Sequence, residues 1–269
     1  MDNQFNTLKL VHLGIDTQRE YVVFMRSDCH ICQSEGFEAH NRILVTLKDK
    51  TIIATLNTIT GDILHHNEAA LSESAWNALS AVTGDEVNFA HTQPVLSMSS
   101  VRAKMYGKPL SKDAFLSIIN DIVKGRYSNI EIAAFITSCA GDNLNIEEIT
   151  GLTESMVETG QRLHWSNEIV VDKHCVGGLP GNRTTPIVVS IVAAAGLTIP
   201  KTSSRAITSP AGTADSLETM TIVDIGLDQI REVVNKENGC FVWGGSMKLS
   251  PADDILIRIE KALDVDGEG

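Results

Sequence analysis

Apolar positions in the first ninety residues come in short β-branched runs. Residues 21–25, 43–47 and 51–56 each predict a strand, with Asp49-Lys50 turning the chain between the last two. The spacing over 67–79 predicts a helix. From about residue 97 the period lengthens. Phe115, Leu116, Ile118, Ile119, Ile122 and Val123 recur at helical spacing between Ser111 and Gly125. Ser128-x-x-Glu131 and Asn145-x-x-Glu148 are capping-box patterns that open two further helices, the second ending near Gly160. From Glu168 the pattern becomes strand, loop, helix. Residues 169–171, 199–203 and 240–243 read as strands, and 187–195, 214–219 and 227–236 as helices. Such alternation predicts a mostly parallel α/β sheet. The expected organisation is a β-rich N-terminal domain over 1–90, a small all-α helical domain over 97–165, and the first part of an α/β phosphate-binding domain over 166–269. About three strands are expected in the last, against ~5–6 in an ordinary sheet, so that domain is expected to be incomplete in this chain.

Composition narrows the function classes. With 269 residues, 43% hydrophobic and 21% charged, the chain reads as globular rather than disordered or fibrous. Aromatics are 5%, so the core must be built of Ile, Val, Leu and Ala. Twenty-two basic against 34 acidic residues give a net charge of −12, which argues against a nucleic-acid partner. A small anion is still a candidate ligand, because backbone N–H groups hold phosphate whatever the net charge. No apolar run reaches the ~18 residues of a membrane span, and the polar N-terminus lacks the features of a secretory signal. Five cysteines, an odd number, predict reduced thiols in a cytoplasmic protein.

The segment 171–185, Val-Asp-Lys-His-Cys-Val-Gly-Gly-Leu-Pro-Gly-Asn-Arg-Thr-Thr, leaves a predicted strand and opens a helix. Ligands bind there in open α/β sheets. Glycines let the backbone approach an anion, a helix amino end supplies N–H groups, Lys173 adds a charge, and His174 can change charge near neutrality. The blander alternative is a tight turn with a structural histidine. A second strand exit, 200–215, is dense in hydroxyls around Arg205, which suits a phosphate and a sugar; locally bonded Ser and Thr in a loop are the alternative. Cys29-His30-Ile31-Cys32 is half a zinc site, with His40 as a possible third ligand, or a pair of reduced thiols in a β-turn, which the single motif favours. His65, His66 and His164 read as surface or packing residues, and the acidic residues of 228–237 as a solvated helix face.

Four motifs occur in order: Lys-His-x-x-Gly-Gly from Lys173, Pro-x-x-Ser-x-Arg from Pro200, Gly-Thr-x-Asp from Gly212, and Pro-Ala-Asp at 251–253. Together, over roughly 97–269, they resemble the thymidine phosphorylase family, which includes pyrimidine-nucleoside and AMP phosphorylases. The leading domain and the run Ser-Ser-Arg-Ala-Ile-Thr-Ser look most like the branch of AMP phosphorylases and type 2 thymidine phosphorylases. The resemblance implies a pentosyltransferase in which phosphate attacks the sugar C1′ and the base departs, as in thymidine + phosphate = thymine + 2-deoxyribose 1-phosphate. The AMP alternative gives adenine and ribose 1,5-bisphosphate. It assigns phosphate contacts to Lys173, Ser203 and Thr213, with Cys175 and Thr185 standing where the family has serines. His174 is placed beside the base as a catalytic group. Gly178, Ser204, Arg205, Ala206, Ile207, Thr208, Ser209 and Thr213 would hold the substrate, and Asp266 would be a proton donor. Partners implied are a nucleoside or nucleoside monophosphate and phosphate as co-substrate, with no organic cofactor and no metal, in a homodimer whose helical and α/β halves close on substrate.

One position departs from the pattern. Glu260 stands where thymidine phosphorylases carry a base-binding arginine, which favours the nucleotide branch. The family's next base-binding pair, a serine and a lysine, would fall beyond Gly269. Two other classes stay open: a magnesium-dependent phosphoribosyltransferase of the anthranilate type, which lacks the Lys-His before its glycine loop, and a non-catalytic or inactive relative.

Overall fold

The structure, a computed structural model, describes residues 7–17, 20–174, 183–203, 205, 212–246 and 249–263. The chain divides into two compact units, 1–95 and 96–269.

The first unit is a closed six-stranded barrel. Its elements are β1 (Thr7–Ile15), β2 (Val22–Arg26), α1 (His30–Glu35), β3 (Arg42–Leu47), β4 (Lys50–Ile59), β5 (Glu68–Ser72), α2 (Glu73–Leu79) and β6 (Glu86–His91). The strand order around the barrel is β1-β5-β2-β4-β3-β6, so every strand edge is paired. The pairs β1–β5 and β2–β4 are parallel and the other four antiparallel. Alternation sends Ile43, Val45 and Leu47 of β3 and Val87 and Phe89 of β6 into the core.

Three local expectations are corrected here. The helix foreseen over 67–79 begins at Glu73; residues 68–72 are β5, in which Ala69, Ala70, Leu71 and Ser72 are all buried. A strand buried on both faces loses the alternation that distinguishes it from a helix. Ser72 then caps α2, its Oγ accepting the Ala75 N–H. The turn between β3 and β4 falls at Lys48-Asp49, one residue early, with Lys48 at φ 55. Cys29 is not in a β-turn with Cys32; it is the N-cap of α1, which ends at the left-handed Gly36.

The second unit begins with α3 (Met98–Met105), α4 (Lys112–Val123), α5 (Asn129–Cys139) and α6 (Ile146–Glu158). Both capping boxes form: the Ser128 N–H donates to Glu131 at 2.7 Å, and the Glu148 N–H donates to Asn145 Oδ1 at 2.8 Å. Glu148 also takes the buried Lys104 ammonium at 2.6 Å and the Leu110 N–H at 2.8 Å. Phe115 and Phe135 meet edge to face at 6.4 Å in the bundle core.

Next come α7 (Thr184–Ala194), β7 (Ile199–Ser203), α8 (Thr213–Glu218), α9 (Leu227–Glu237), β8 (Gly239–Trp243) and α10 (Pro251–Leu263). β7 and β8 pair in parallel from Ile199↔Gly239 to Ser203↔Trp243. The expected strand over 169–171 is reduced to one parallel bridge, Val170↔Thr198, extended by the Val171 N–H to the Thr198 carbonyl. Ile169 and Val170 are exposed, so apolar contact does not hold a longer strand there. α7 lies on β7 and β8, and α10 returns against α4, α5 and α6. That return passes so close to Gly160 that a Cβ there would overlap the Leu249 carbonyl oxygen, far inside van der Waals contact. The result is a helical bundle joined to an α/β fold. Among the described residues no helix is long and apolar enough to cross a membrane.

Candidate functional site

The parallel register aligns the carboxyl ends of β7 and β8 with the segment that follows Val170. Ser203 and Trp243 are register partners at the last rung, and Asp172, Lys173 and His174 follow the bridge beside Thr198. The amino ends of α7 and α8 begin on the same side. This is the crevice where an open α/β sheet binds ligands.

Lys173 is fixed by the helix it faces. Its ammonium donates to Thr185 Oγ1 at 3.0 Å and to Thr184 Oγ1 at 3.3 Å, at the start of α7. Thr185 is 1% exposed, so the hydroxyl is built into the wall. Next to Lys173 stands a three-group cluster that joins the expected His174 to two residues given no role from sequence, Asp172 and Lys201. Asp172 lies 2.6 Å from His174 Nε2 through one oxygen and 3.3 Å from Lys201 Nζ through the other. Lys201 is 5% exposed and sits within β7. Burial alone would raise the Asp172 carboxyl. The Lys173 N–H, Lys201 and His174 outweigh it and hold the group below the ordinary aspartate range. A carboxylate that stays ionised and accepts from Nε2 fixes the imidazole ring and its tautomer. Both residues belong to the two segments singled out by pattern. The signal available was Lys201 two residues after Ile199, on the same inward face of the predicted strand, where a lysine needs a buried partner.

Thr213 is the first residue of α8. The Gly212 N–H before it donates to Asp215 Oδ2 at 2.9 Å, which accounts for the Gly-Thr-x-Asp spacing. Arg205 is not aimed at open space. Its guanidinium donates to Glu218 at 2.6 and 2.8 Å and to Asp215 at 3.2 Å, and it lies 4.7 Å over the Trp243 ring. The Glu218 carboxyl is lowered by that bond. Of the remaining expected residues, Cys175, Gly178, Ser204, Ala206, Ile207, Thr208, Ser209 and Asp266 lie outside the described residues. Glu260 is half-buried on α10, and burial together with Asp253 pushes its carboxyl up. A hollow of about 510 Å³ between the end of α7 and the start of β8 lies at the opposite, amino ends of the strands. Among the described residues, no three His, Cys, Asp or Glu side chains converge as a metal site, so Cys29, Cys32 and His40 do not form one.

Comparison with known proteins agrees with this architecture. Residues 99–160 match the helical bundle domain of the glycosyl transferase family, and residues 167–266 match its a/b domain. A Hahella chejuensis protein named "Putative thymidine phosphorylase" is 55% identical over 99% of this chain and 53% of its own length. One of the same name from Polaromonas sp. is 56% identical over 97% of this chain and 51% of its own. The chain thus spans about half the length of these curated relatives. The crystal structure of anthranilate phosphoribosyltransferase from Thermus thermophilus shares the fold, at TM-score 0.52 and 19% identity, over 62% of this chain and 51% of that one.

Proposed function

The chain belongs to the glycosyl transferase family through both its helical bundle and its a/b domain, and on that premise we propose that it serves as a nucleoside phosphorylase. In this reaction a phosphate oxygen bonds to the sugar C1′, and the N-glycosidic bond breaks with its electron pair leaving on the base. The observation that carries the reading is the Lys173 ammonium bonded to the hydroxyls of Thr184 and Thr185, one residue from the Asp172–His174 pair. An ammonium and hydroxyls at a helix start suit inorganic phosphate. The charge that develops on the base needs a donor, and the adjacent His174 ring can be one. With Nε2–H donating to Asp172, the proton for the base would be the one that the imidazolium carries on Nδ1. Ser203 and Thr213 complete the phosphate contacts in this reading, and the products from thymidine are thymine and 2-deoxyribose 1-phosphate. The names of the relatives at 55–56% identity support the same class. The reaction consumes phosphate and calls for no organic cofactor.

A nucleoside monophosphate is the second reading, giving adenine and ribose 1,5-bisphosphate from AMP. Glu260 favours it, because a carboxyl cannot reproduce an arginine's contacts to a pyrimidine. Arg205 favours the nucleoside, because its fork is already engaged by Glu218 and Asp215. The test is release of base from thymidine, uridine and AMP with and without phosphate, beside calorimetric titration of phosphate. Release that requires phosphate is expected, and Lys173→Ala should weaken phosphate binding ~10-fold or more, from the ~1.5–3 kcal/mol of a charged hydrogen bond. Base release without phosphate, or undiminished phosphate affinity in Lys173→Ala, would overturn the reading.

A further inference from the structure

The barrel holds a pair of thiols that the proposed reaction does not use. Cys29 caps α1 and Cys32 is the third residue of that helix; the Cys32 N–H donates to Cys29 Sγ at 3.4 Å. Both side chains are buried within the barrel core, and both are thiols rather than a disulfide. The two are not equivalent. The Cys32 thiol donates to Cys29 and, with the N–H groups of Cys32 and Ile31, holds Cys29 below the ordinary thiol range against the effect of burial. The same bond, with burial, pushes Cys32 up. The shared bond thus drives the two thiols in opposite directions, Cys29 toward the thiolate and Cys32 toward the protonated form.

The spacing of the two residues at the helix start is compatible with a disulfide. An N-cap and the third residue of its helix have Cα atoms ~5–6 Å apart, inside the ~4.4–6.8 Å that a disulfide spans. We propose that Cys29 and Cys32 form a reversible dithiol–disulfide couple within the folded barrel, exchanging with low-molecular-weight disulfides of the glutathione class. Cys29 attacks one sulfur of glutathione disulfide and expels a glutathione thiolate, leaving a mixed disulfide. Cys32 gives its proton to the released thiolate and attacks Cys29 Sγ, expelling the second glutathione. Two protein thiols are oxidised and one small disulfide is reduced to two thiols, so atoms and electrons balance. Burial governs the rate, because a small disulfide reaches Cys29 only when α1 opens. The equilibrium is governed by the sulfurs. α1 is six residues long and ends at Gly36, a short segment between β2 and β3.

Trypsin isolates the pair, since residues 27–42 lie between Arg26 and Arg42, contain no other lysine or arginine before Arg42, and hold no other cysteine. The folded chain is equilibrated anaerobically over a series of reduced-to-oxidised glutathione ratios, acid-quenched, alkylated and digested. The expected result is a 27–42 peptide that loses two hydrogen masses and its alkylation as the ratio turns oxidising. It should recover both with dithiothreitol, with circular dichroism unchanged throughout. In Cys29→Ser no such mass loss should occur, and Cys32 should be alkylated or carry one glutathione. Double alkylation at every ratio would overturn the proposal. So would oxidation seen only in urea, a stable mixed disulfide as the end product, or protection from alkylation that a chelator removes, which would mark a metal site instead.

Discussion

The barrel and the α/β part of the second unit handle apolar and polar side chains in opposite ways. In the barrel, Leu10, Val23, Met25, Ile43, Leu56 and Phe89 are wholly buried and the strand edges are all paired. In the α/β part, Ile187 and Ile191 of α7 are 62% and 63% exposed while Lys201 and Thr185 are enclosed. Burying a lysine is unfavourable without partners, and here its partner is a carboxylate that also serves a histidine. One region is arranged to be stable; the other spends stability on holding charges in fixed positions, as sites commonly do.

Phe89→Ala should show the largest effect, a loss of ~3–5 kcal/mol from the cavity and the lost contacts. Urea unfolding followed by far-ultraviolet circular dichroism measures it. A loss below ~1 kcal/mol would mean that the barrel is loosely packed and the contrast is false.

Glu148→Gln comes next, at about 3 kcal/mol, because it leaves Lys104 buried without its counter-charge. Its pH dependence has a definite sign. Burial raises the Glu148 carboxyl, but Lys104 and the N–H groups of Leu110 and Asn145 outweigh it and hold the group below its ordinary range. Its contribution is complete above the unfolded value of ~4.3 and is lost as the pH falls below that. The substitution should therefore flatten the acid side of the stability profile. An unchanged acid slope would show that this pair does not govern it.

Ile187→Ser should have the smallest effect, within ~0.5 kcal/mol, as for other exposed positions. A clear loss of stability would show that this face of α7 is covered in solution and would sharpen the comparison in favour of a second apolar core.

Local rules made part of this molecule legible and left the rest dark. Ser128 with Glu131 and Asn145 with Glu148 state their helices within four residues, and the structure forms both boxes. β1 and β6 alternate apolar and polar residues over only about four positions each, and β5 is hidden by burial on both faces. Lys173 was legible as a cation before a glycine loop. The meeting of Asp172 with Lys201 was not, because it depends on the register of Val170 with Thr198, and pairing between distant segments leaves no mark on either alone.

Closing the barrel also has a consequence in time. β3 and β4 are adjacent in the chain and can pair as soon as both exist, but β1 is held between β5 and β6, with Thr7 opposite Asn88. At translation rates of ~5–20 residues per second, Asn88 is made roughly 4–16 seconds after Thr7. Until β5 is made the nascent β1 carries Leu8 and Leu10 without either neighbour, and from then until β6 is made it lacks the second of them. The first described strand to be synthesised is thus among the last to find its place, and a chaperone that shields the emerging amino-terminal segment would act on this protein where it is most vulnerable.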